Sequence, residues 1–135
     1  MFRYNRYEVI GLKRKIVTNN PSVLEHHQGK IDIEFIDSYG YFEVLDALRR
    51  LVHDGWQLET HPLSGSVKPN ETPYKSVAVA YDPKNTALDF QSLQIIEEAI
   101  ETYNKFKTNQ DLPQWTDRVL NDFQLIDRSI IESAF

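Results

Sequence analysis

The sequence predicts an α/β fold: a single layered domain with about four strands in a mixed, partly parallel sheet, flanking helices and two further C-terminal helices. Three observations predict it. Short β-prone segments alternate with segments of helical periodicity over the first 81 residues, which is the order of a layered α/β domain. From about residue 88 onwards the apolar spacing is helical. The length of 135 residues is that of one domain with its own core.

The first twelve residues precede this domain and are open to two interpretations. Residues 3–7 intersperse aromatic with polar side chains, which would suit an edge strand. The alternative is an N-terminal arm that becomes ordered only against a partner. We expect the domain itself to span residues 13–135, with a core at 13–81 and C-terminal helices at 88–135.

The domain begins with a strand, a turn and a short helix. Residues 15–18 are β-prone and are followed by two asparagines and a proline. Asn20 is a favourable N-cap and Pro21 suits the first helical position, so a helix is predicted over 21–28. Gly29 is expected to close it.

Two more strands enclose an amphipathic helix. Residues 31–36 alternate apolar and acidic side chains, which indicates a strand with one buried face. Residues 41–53 place their apolar side chains on one helical face, and Gly55 is expected to end this helix. Residues 56–59 then predict a third strand.

The fourth strand and the last two helices complete the domain. Residues 76–81 are small and apolar enough for a central strand. Because the segment 61–75 contains no crossover helix, this strand can pair antiparallel with its neighbours instead of parallel. Asp89 can cap a helix that extends to Phe106, and an apolar stripe over residues 115–130 predicts the last helix.

The segment between the third and fourth strands is a long loop, which is uncommon in a small domain unless it is functional or disordered. Pro62, Pro69 and Pro73 restrict three φ angles in it. We therefore expect a shaped surface loop. Either it forms a binding site, or its prolines and serines only fold it onto the sheet as an Ω-like loop.

If the first three strands are parallel, their carboxyl ends meet at one edge of the sheet, where α/β sheets usually hold ligands. That edge would collect polar residues that follow each strand, and the long loop adds backbone donors around Gly65 and two lysines. Such a set suits a small anion, phosphate or carboxylate. The predicted ligand-binding residues are Asn19, Asn20, His61, Ser64, Gly65, Ser66, Lys68, Asn70, Thr72, Tyr74 and Lys75.

No catalytic residue is firmly predicted. His61 is a candidate acid or base because its ordinary pKa lies near neutrality, and the alternative is a structural hydrogen bond. His26 and His27 are adjacent and diverge on a helix, so they do not predict a metal site. The sequence indicates no metal and no cofactor, and whether the protein is an enzyme is left open.

The composition limits the classes of partner that we expect the protein to bind. The formal net charge of −5 argues against general binding of nucleic acid or of anionic membranes. No apolar run approaches the ~20 residues of a membrane span, and the N-terminus does not resemble a secretory signal, so we expect a cytoplasmic protein. The absence of cysteine excludes disulfides and thiolate chemistry.

The C-terminal helices offer a possible protein contact. Their large apolar side chains are either internal, or form a strip that pairs with a second copy or with another protein. The residues of this strip are Trp115, Phe123, Ile126, Ile130 and Phe135.

Two segments of the chain, residues 15–21 and 60–76, resemble the GrdX family. Its members are small proteins encoded beside the glycine, sarcosine and betaine reductase systems of amino-acid-fermenting anaerobes. The resemblance covers about residues 13–81 and not the final helices. It implies a cytoplasmic protein of anaerobic metabolism that serves as an accessory factor for the reductase, and it implies no catalytic residues.

The sequence is therefore compatible with three functions. The first is an accessory or binding protein that holds a small anion, or a segment of a partner such as a glycine reductase component, at the strand ends. The second is an enzyme acting on a phosphorylated or carboxylated metabolite, with His61 transferring protons and Lys68 or Lys75 stabilising negative charge. The third is a structural subunit that assembles, for example as a homodimer, through its C-terminal helices.

Overall fold

A computed structural model describes residues 11–63, 71–107 and 112–134. Helices and strands alternate over most of this part of the chain, as predicted. In order, the elements are β1 (Lys13–Thr18), α1 (Pro21–His27), β2 (Asp32–Phe35), α2 (Phe42–His53), β3 (Gln57–Leu58), β4 (Ser76–Tyr81), α3 (Phe90–Lys107) and α4 (Asp117–Glu132). Residues 1–10 of the predicted arm lie outside the described residues.

The four strands form one mixed sheet in the order β2-β1-β4-β3. β1 pairs parallel with β2, with Ile16 opposite Ile33. β4 pairs antiparallel with both β1 and β3, so β1, β2 and β3 all run in one direction. The prediction of an α/β fold with a mixed sheet is confirmed. Of the two alternatives for the fourth strand, the antiparallel one is observed, and β4 is central.

Helices cover both faces of the sheet, because alternate residues of the central strands are apolar on both sides. Val17, Val77 and Val79 pack into the larger core with α2 and α3. Ile16 and Ala78 face the other way and pack with α1 and α4. The result is a three-layered α/β/α arrangement.

The turns that connect these layers follow the predicted signals. The side chain of Asn20 caps α1 by accepting a hydrogen bond from the Ser22 N–H, and Pro21 occupies the first turn. Gly29 and Gly55 have positive φ angles of 85° and 100° after α1 and α2, which an L-residue with a side chain adopts only at a cost. Both glycines are therefore required by the backbone.

Helix α4 lies on the face of the sheet that carries the smaller hydrophobic cluster, against α1 and β4. Its N-cap is Thr116, whose side chain accepts a hydrogen bond from Val119 N. The residues that it buries are Asp127 and Ile131, while Ile126 of the predicted apolar strip is 53% exposed. No helix in the described ranges has the length and apolar character needed to cross a bilayer.

Candidate functional site

The carboxyl ends of β1, β2 and β3 lie at the same edge of the sheet as the start of β4, as their directions require. We call this edge the rim. Asn19 and Asn20 follow β1 here, and Lys75 immediately precedes β4. The structure therefore brings together the two asparagines and the end of the long loop. Five predicted site residues, Ser64, Gly65, Ser66, Lys68 and Asn70, lie outside the described residues.

Asn19 connects the end of the long loop to β1 by hydrogen bonds. Its side chain is 2% exposed, and its amide donates to the carbonyls of Gly40 at 3.0 Å and Pro73 at 2.7 Å. Its Oδ1 accepts from the N–H of Lys75 at 2.9 Å. Both amide hydrogens are engaged within the protein, so Asn19 shapes the rim. Direct contact of Asn19 with a ligand stays a prediction.

Asn20 connects α1 to α4. In addition to capping α1, its amide donates to the carbonyl of Gln124 at 2.9 Å and to Oδ2 of Asp127 at 3.1 Å. It is fully buried, and its donors are also used internally. The prediction that it contacts a ligand likewise remains a prediction.

A chain of hydroxyl groups connects β1, β4 and α4 beneath the rim. Ser76 Oγ donates to Oδ2 of Asp127 at 2.6 Å and lies 2.6 Å from Oγ1 of Thr18. Since a hydroxyl has one hydrogen, Thr18 must donate to Ser76. Thr18 Oγ1 in turn accepts from the N–H of Asn20 at 2.9 Å. Every hydrogen in this chain is directed towards Asp127, which is the arrangement that stabilises a carboxylate.

Asp127 is an acidic side chain in the interior of the protein, only 8% exposed. Burial raises its pKa because removal from water disfavours the charged form. The hydrogen bonds from Ser76 and Asn20, and the charge of Lys75, act in the opposite direction without cancelling the effect. Asp127 is therefore easier to protonate than an exposed aspartate.

Lys75 is the cation of the same region and is 4% exposed. Burial lowers its pKa, and the charge of Asp127 partly opposes this. Its Nζ lies 5.1 Å from the centre of the Tyr41 ring, a distance at which an aromatic face attracts a cation. The pKa of Tyr41 is raised, mainly by its own burial, so its hydroxyl stays protonated beside the lysine.

A cavity of about 80 Å³ opens where Lys75 and Asp127 approach the surface. One side is the end of the long loop and the other is α4. The lining residues are Thr72, Tyr74, Lys75, Phe123, Ile126, Asp127 and Ile130. This volume holds several water molecules or a compound of a few non-hydrogen atoms. Three predicted site residues, Thr72, Tyr74 and Lys75, thus contribute to one cavity.

A second cavity, of about 280 Å³, lies on the other side of Ile130. It is lined by Thr60, Ser76, Ile130, Ile131, Ser133 and Ala134. Lys75 and Ser76, which are neighbours in the chain, face different cavities. Ile130 lines both cavities.

The remaining polar loop residues are held locally. The hydroxyl of Tyr74 accepts from Nε2 of Gln124 at 2.9 Å, and Thr72 Oγ1 accepts from the Tyr74 N–H at 3.2 Å. His61 is exposed, its Nδ1 accepts from the N–H of Leu63 at 3.0 Å, and it lines neither cavity. An acid or base role for His61 stays a prediction.

The other histidines are used between α1 and α4. His27 Nε2 lies 2.7 Å from Oε2 of Glu132, whereas the ring of His26 contacts Arg128. Within the described ranges, no group of three or more histidine, aspartate or glutamate side chains lies close enough to hold a metal ion.

Sequence reasoning missed Asp127, Ser76 and Tyr41. One signal was present for the first of these. Asp127 falls four residues after Phe123 and four before Ile131, so it occupies a position on the inner face of a helix. An acidic side chain at such a position is costly without partners and indicates a buried polar site.

Comparison with known proteins identifies a family. A family model described as GrdX-like protein matches residues 15–135. No curated protein and no solved structure matches the chain. The family match includes α3 and α4, which lie beyond the segment 13–81 that carried the motif resemblance. Phe123, Ile126, Asp127 and Ile130, the α4 residues of the smaller cavity, therefore lie within the matched region.

Proposed function

Because the chain belongs to the GrdX-like protein family, we propose that it is a cytoplasmic accessory protein of a glycine reductase-type system that binds a small carboxylate at Lys75. The observation that carries the proposal is the position of Lys75, a buried lysine that lines a cavity open at the protein surface. The association with the reductase is supported by the family alone. The binding site is supported by the geometry.

A small anion in the cavity would add to the interactions that the buried Lys75 makes within the protein. An ammonium group removed from water needs compensating charge and hydrogen bonds. The charge of Asp127 already acts on Lys75, and a carboxylate in the cavity would contribute a further charge-assisted hydrogen bond. The lining hydroxyl groups of Thr72 and Tyr74 offer additional polar contacts.

Asp127 makes this binding dependent on protons. A bound carboxylate would place a second negative charge beside Asp127, and like charges in one site favour protonation of one of them. Burial already raises the pKa of Asp127, so taking up a proton there costs less than at an exposed aspartate. Anion binding is therefore expected to be accompanied by proton uptake and to strengthen as the pH falls.

The walls of the cavity limit the rest of the ligand. Phe123, Ile126 and Ile130 are apolar and come from one side of α4. They suit a short aliphatic portion, and the volume of about 80 Å³ matches a small ligand. A two- to four-carbon organic acid fits this combination.

The proposal is tested by titrating the protein with acetate and, separately, with inorganic phosphate, following amide shifts by NMR and heat by calorimetry. We expect saturable acetate binding that is lost in Lys75→Met and retained in Lys84→Met, a control at an exposed lysine. Calorimetry in two buffers of different ionisation heat should show proton uptake. Absence of saturable binding by the wild-type protein, or unchanged binding by a folded Lys75→Met variant, would refute the site.

A second candidate function, self-association through the C-terminal helices, is favoured by one observation. Leu125 and Ile126 are adjacent on α4 and are 52% and 53% exposed. We propose that they contact a second copy of the chain. Sedimentation velocity at increasing concentration should show a dimer for the wild-type protein and a monomer for Leu125→Glu. A wild-type monomer at every concentration would refute it.

A further inference from the structure

We infer that the amine of Lys75 condenses reversibly with a small carbonyl compound, an aldehyde or a 2-oxo acid, in the cavity between the long loop and α4. This inference rests on the proposed function because it uses the same cavity. It adds a covalent step to the binding proposed above.

The position of Lys75 favours a nucleophilic amine. Lysine becomes a nucleophile when burial or neighbouring charge favours its neutral form. Lys75 is almost completely buried, yet it lines a cavity that a small molecule can enter. Burial lowers its pKa, which increases the neutral fraction near neutral pH and supports the same conclusion.

A carboxyl group that can act as an acid lies in the same cavity. Asp127 lines the same cavity, and its Oδ2 already accepts hydrogen bonds from Ser76 and Asn20. A proton on this carboxyl group is therefore carried by Oδ1. Dehydration of the first adduct requires protonation of a departing hydroxyl group, which is a role for a nearby acid.

The chemistry balances without an oxidant or a cofactor. The nitrogen lone pair of Lys75 attacks the carbonyl carbon, the C=O π pair moves to oxygen, and transfer of a proton from nitrogen to oxygen gives a carbinolamine. Asp127 protonates the hydroxyl group, water leaves, and the nitrogen lone pair forms the C=N bond of an iminium ion. One water is released, and addition of water reverses the sequence.

The surroundings of Lys75 also suit the product of the condensation. An iminium ion keeps a positive charge on the nitrogen of Lys75. The Tyr41 ring, whose centre is 5.1 Å from Nζ, and the Asp127 carboxylate both stabilise a cation at that place. The site therefore suits a positively charged nitrogen after condensation as well as before it.

The test is reductive trapping with glyoxylate and, separately, acetaldehyde, in the presence of sodium cyanoborohydride at limiting carbonyl concentration. Peptide mapping by mass spectrometry compares labelling of Lys75 with labelling of the exposed Lys84 in the same wild-type molecules. A buried lysine is normally labelled more slowly than an exposed one. We expect the opposite order, with Lys75 labelled first, and loss of this preference in urea. Labelling of Lys84 and other exposed lysines while Lys75 stays unmodified would overturn the inference.

Two variants test the roles of Lys75 and Asp127 separately. Lys75→Arg keeps the positive charge and should lose the early labelling completely. Asp127→Asn keeps an oxygen that can accept from Ser76 and Asn20 but has no proton to transfer, so labelling of Lys75 should slow in the folded variant. Labelling at the wild-type rate in that variant would overturn the acid role of Asp127.

Acetate separates this inference from the proposed function. If acetate binds at Lys75 and Lys75 is never trapped, the inference fails and the binding function stands. If Lys75 is trapped and acetate neither binds nor slows trapping, the inference stands and carboxylate binding fails. If neither is observed, both fail.

Discussion

The buried amide of Asn19 connects the long loop to the end of β1 by hydrogen bonds, and its removal is expected to destabilise the protein strongly. In Asn19→Ala, the Gly40 carbonyl keeps a second donor, Ser38 Oγ at 2.9 Å. The Pro73 carbonyl and the Lys75 N–H lose the partners that they have at 2.7 and 2.9 Å. An unsatisfied buried polar group costs about 1–3 kcal/mol. The free energy of unfolding should therefore fall by about 2–6 kcal/mol.

The assay is equilibrium unfolding in urea, followed by the fluorescence of Trp56 and Trp115. Asn85→Ala is the control, because Asn85 is exposed in a turn, and it should change the unfolding free energy by less than about 0.5 kcal/mol. Asn19→Asp should not restore stability, since a carboxylate cannot donate to two carbonyls. A loss below about 1 kcal/mol in Asn19→Ala would refute the reasoning.

Three further perturbations follow from the structure. In Gly55→Ala, where φ is +100°, the added Cβ would lie 2.9 Å from the carbonyl oxygen of Thr86. In Gly29→Ala, φ is +85° and the added Cβ would meet no atom within 4 Å, so a loss of stability of about 1–2 kcal/mol is expected. Thermal unfolding should therefore show a larger loss of stability for Gly55→Ala, and equal losses would contradict the contact with Thr86. Thr116→Ala removes the acceptor for an N–H of the first turn of α4 at 3.3 Å and should cost about 1 kcal/mol, measured by urea unfolding; an unchanged midpoint would argue against this cap. Burial raises the pKa of Asp127 above its ordinary value of 3.8, so the folded state holds this proton more tightly. The resulting stabilisation is present below pH 3.8 and is lost as the pH rises through the raised pKa. Asp127→Asn should lack this fall, and identical pH dependence of the two proteins would disprove the assignment.

Local signals predicted most of the fold because each acts over a few residues. Asn20 and Pro21 start α1 as the sequence indicates, and the apolar residues 76–81 form the central strand. The third strand was predicted over 56–59 but is only Gln57–Leu58. The N–H of Trp56 donates a hydrogen bond to the carbonyl of Leu51 in the last turn of α2. Trp56 therefore belongs to the turn that follows the helix, although propensity alone assigned it to the strand.

The candidate site was predictable only in part, because it depends on residues far apart in the chain. The sequence predicted Lys75 through the loop that contains it. Its partner Asp127 is 52 residues further on and is held by Asn20 and Ser76. No local pattern encodes that meeting of three segments. Only the inward position of an aspartate on α4 hinted at it.

The place of β4 between β1 and β3 has a consequence for biosynthesis. During translation, β1, α1, β2, α2 and β3 all leave the ribosome before the strand that unites them. Until residue 81 has emerged, the sheet is at most a two-stranded ribbon, which is marginal on its own, and its unpaired edges can recruit other nascent chains. Premature termination within the long loop would therefore produce a fragment prone to aggregate, whereas completion of β4 covers the free edge of β1 and joins β3 to the sheet.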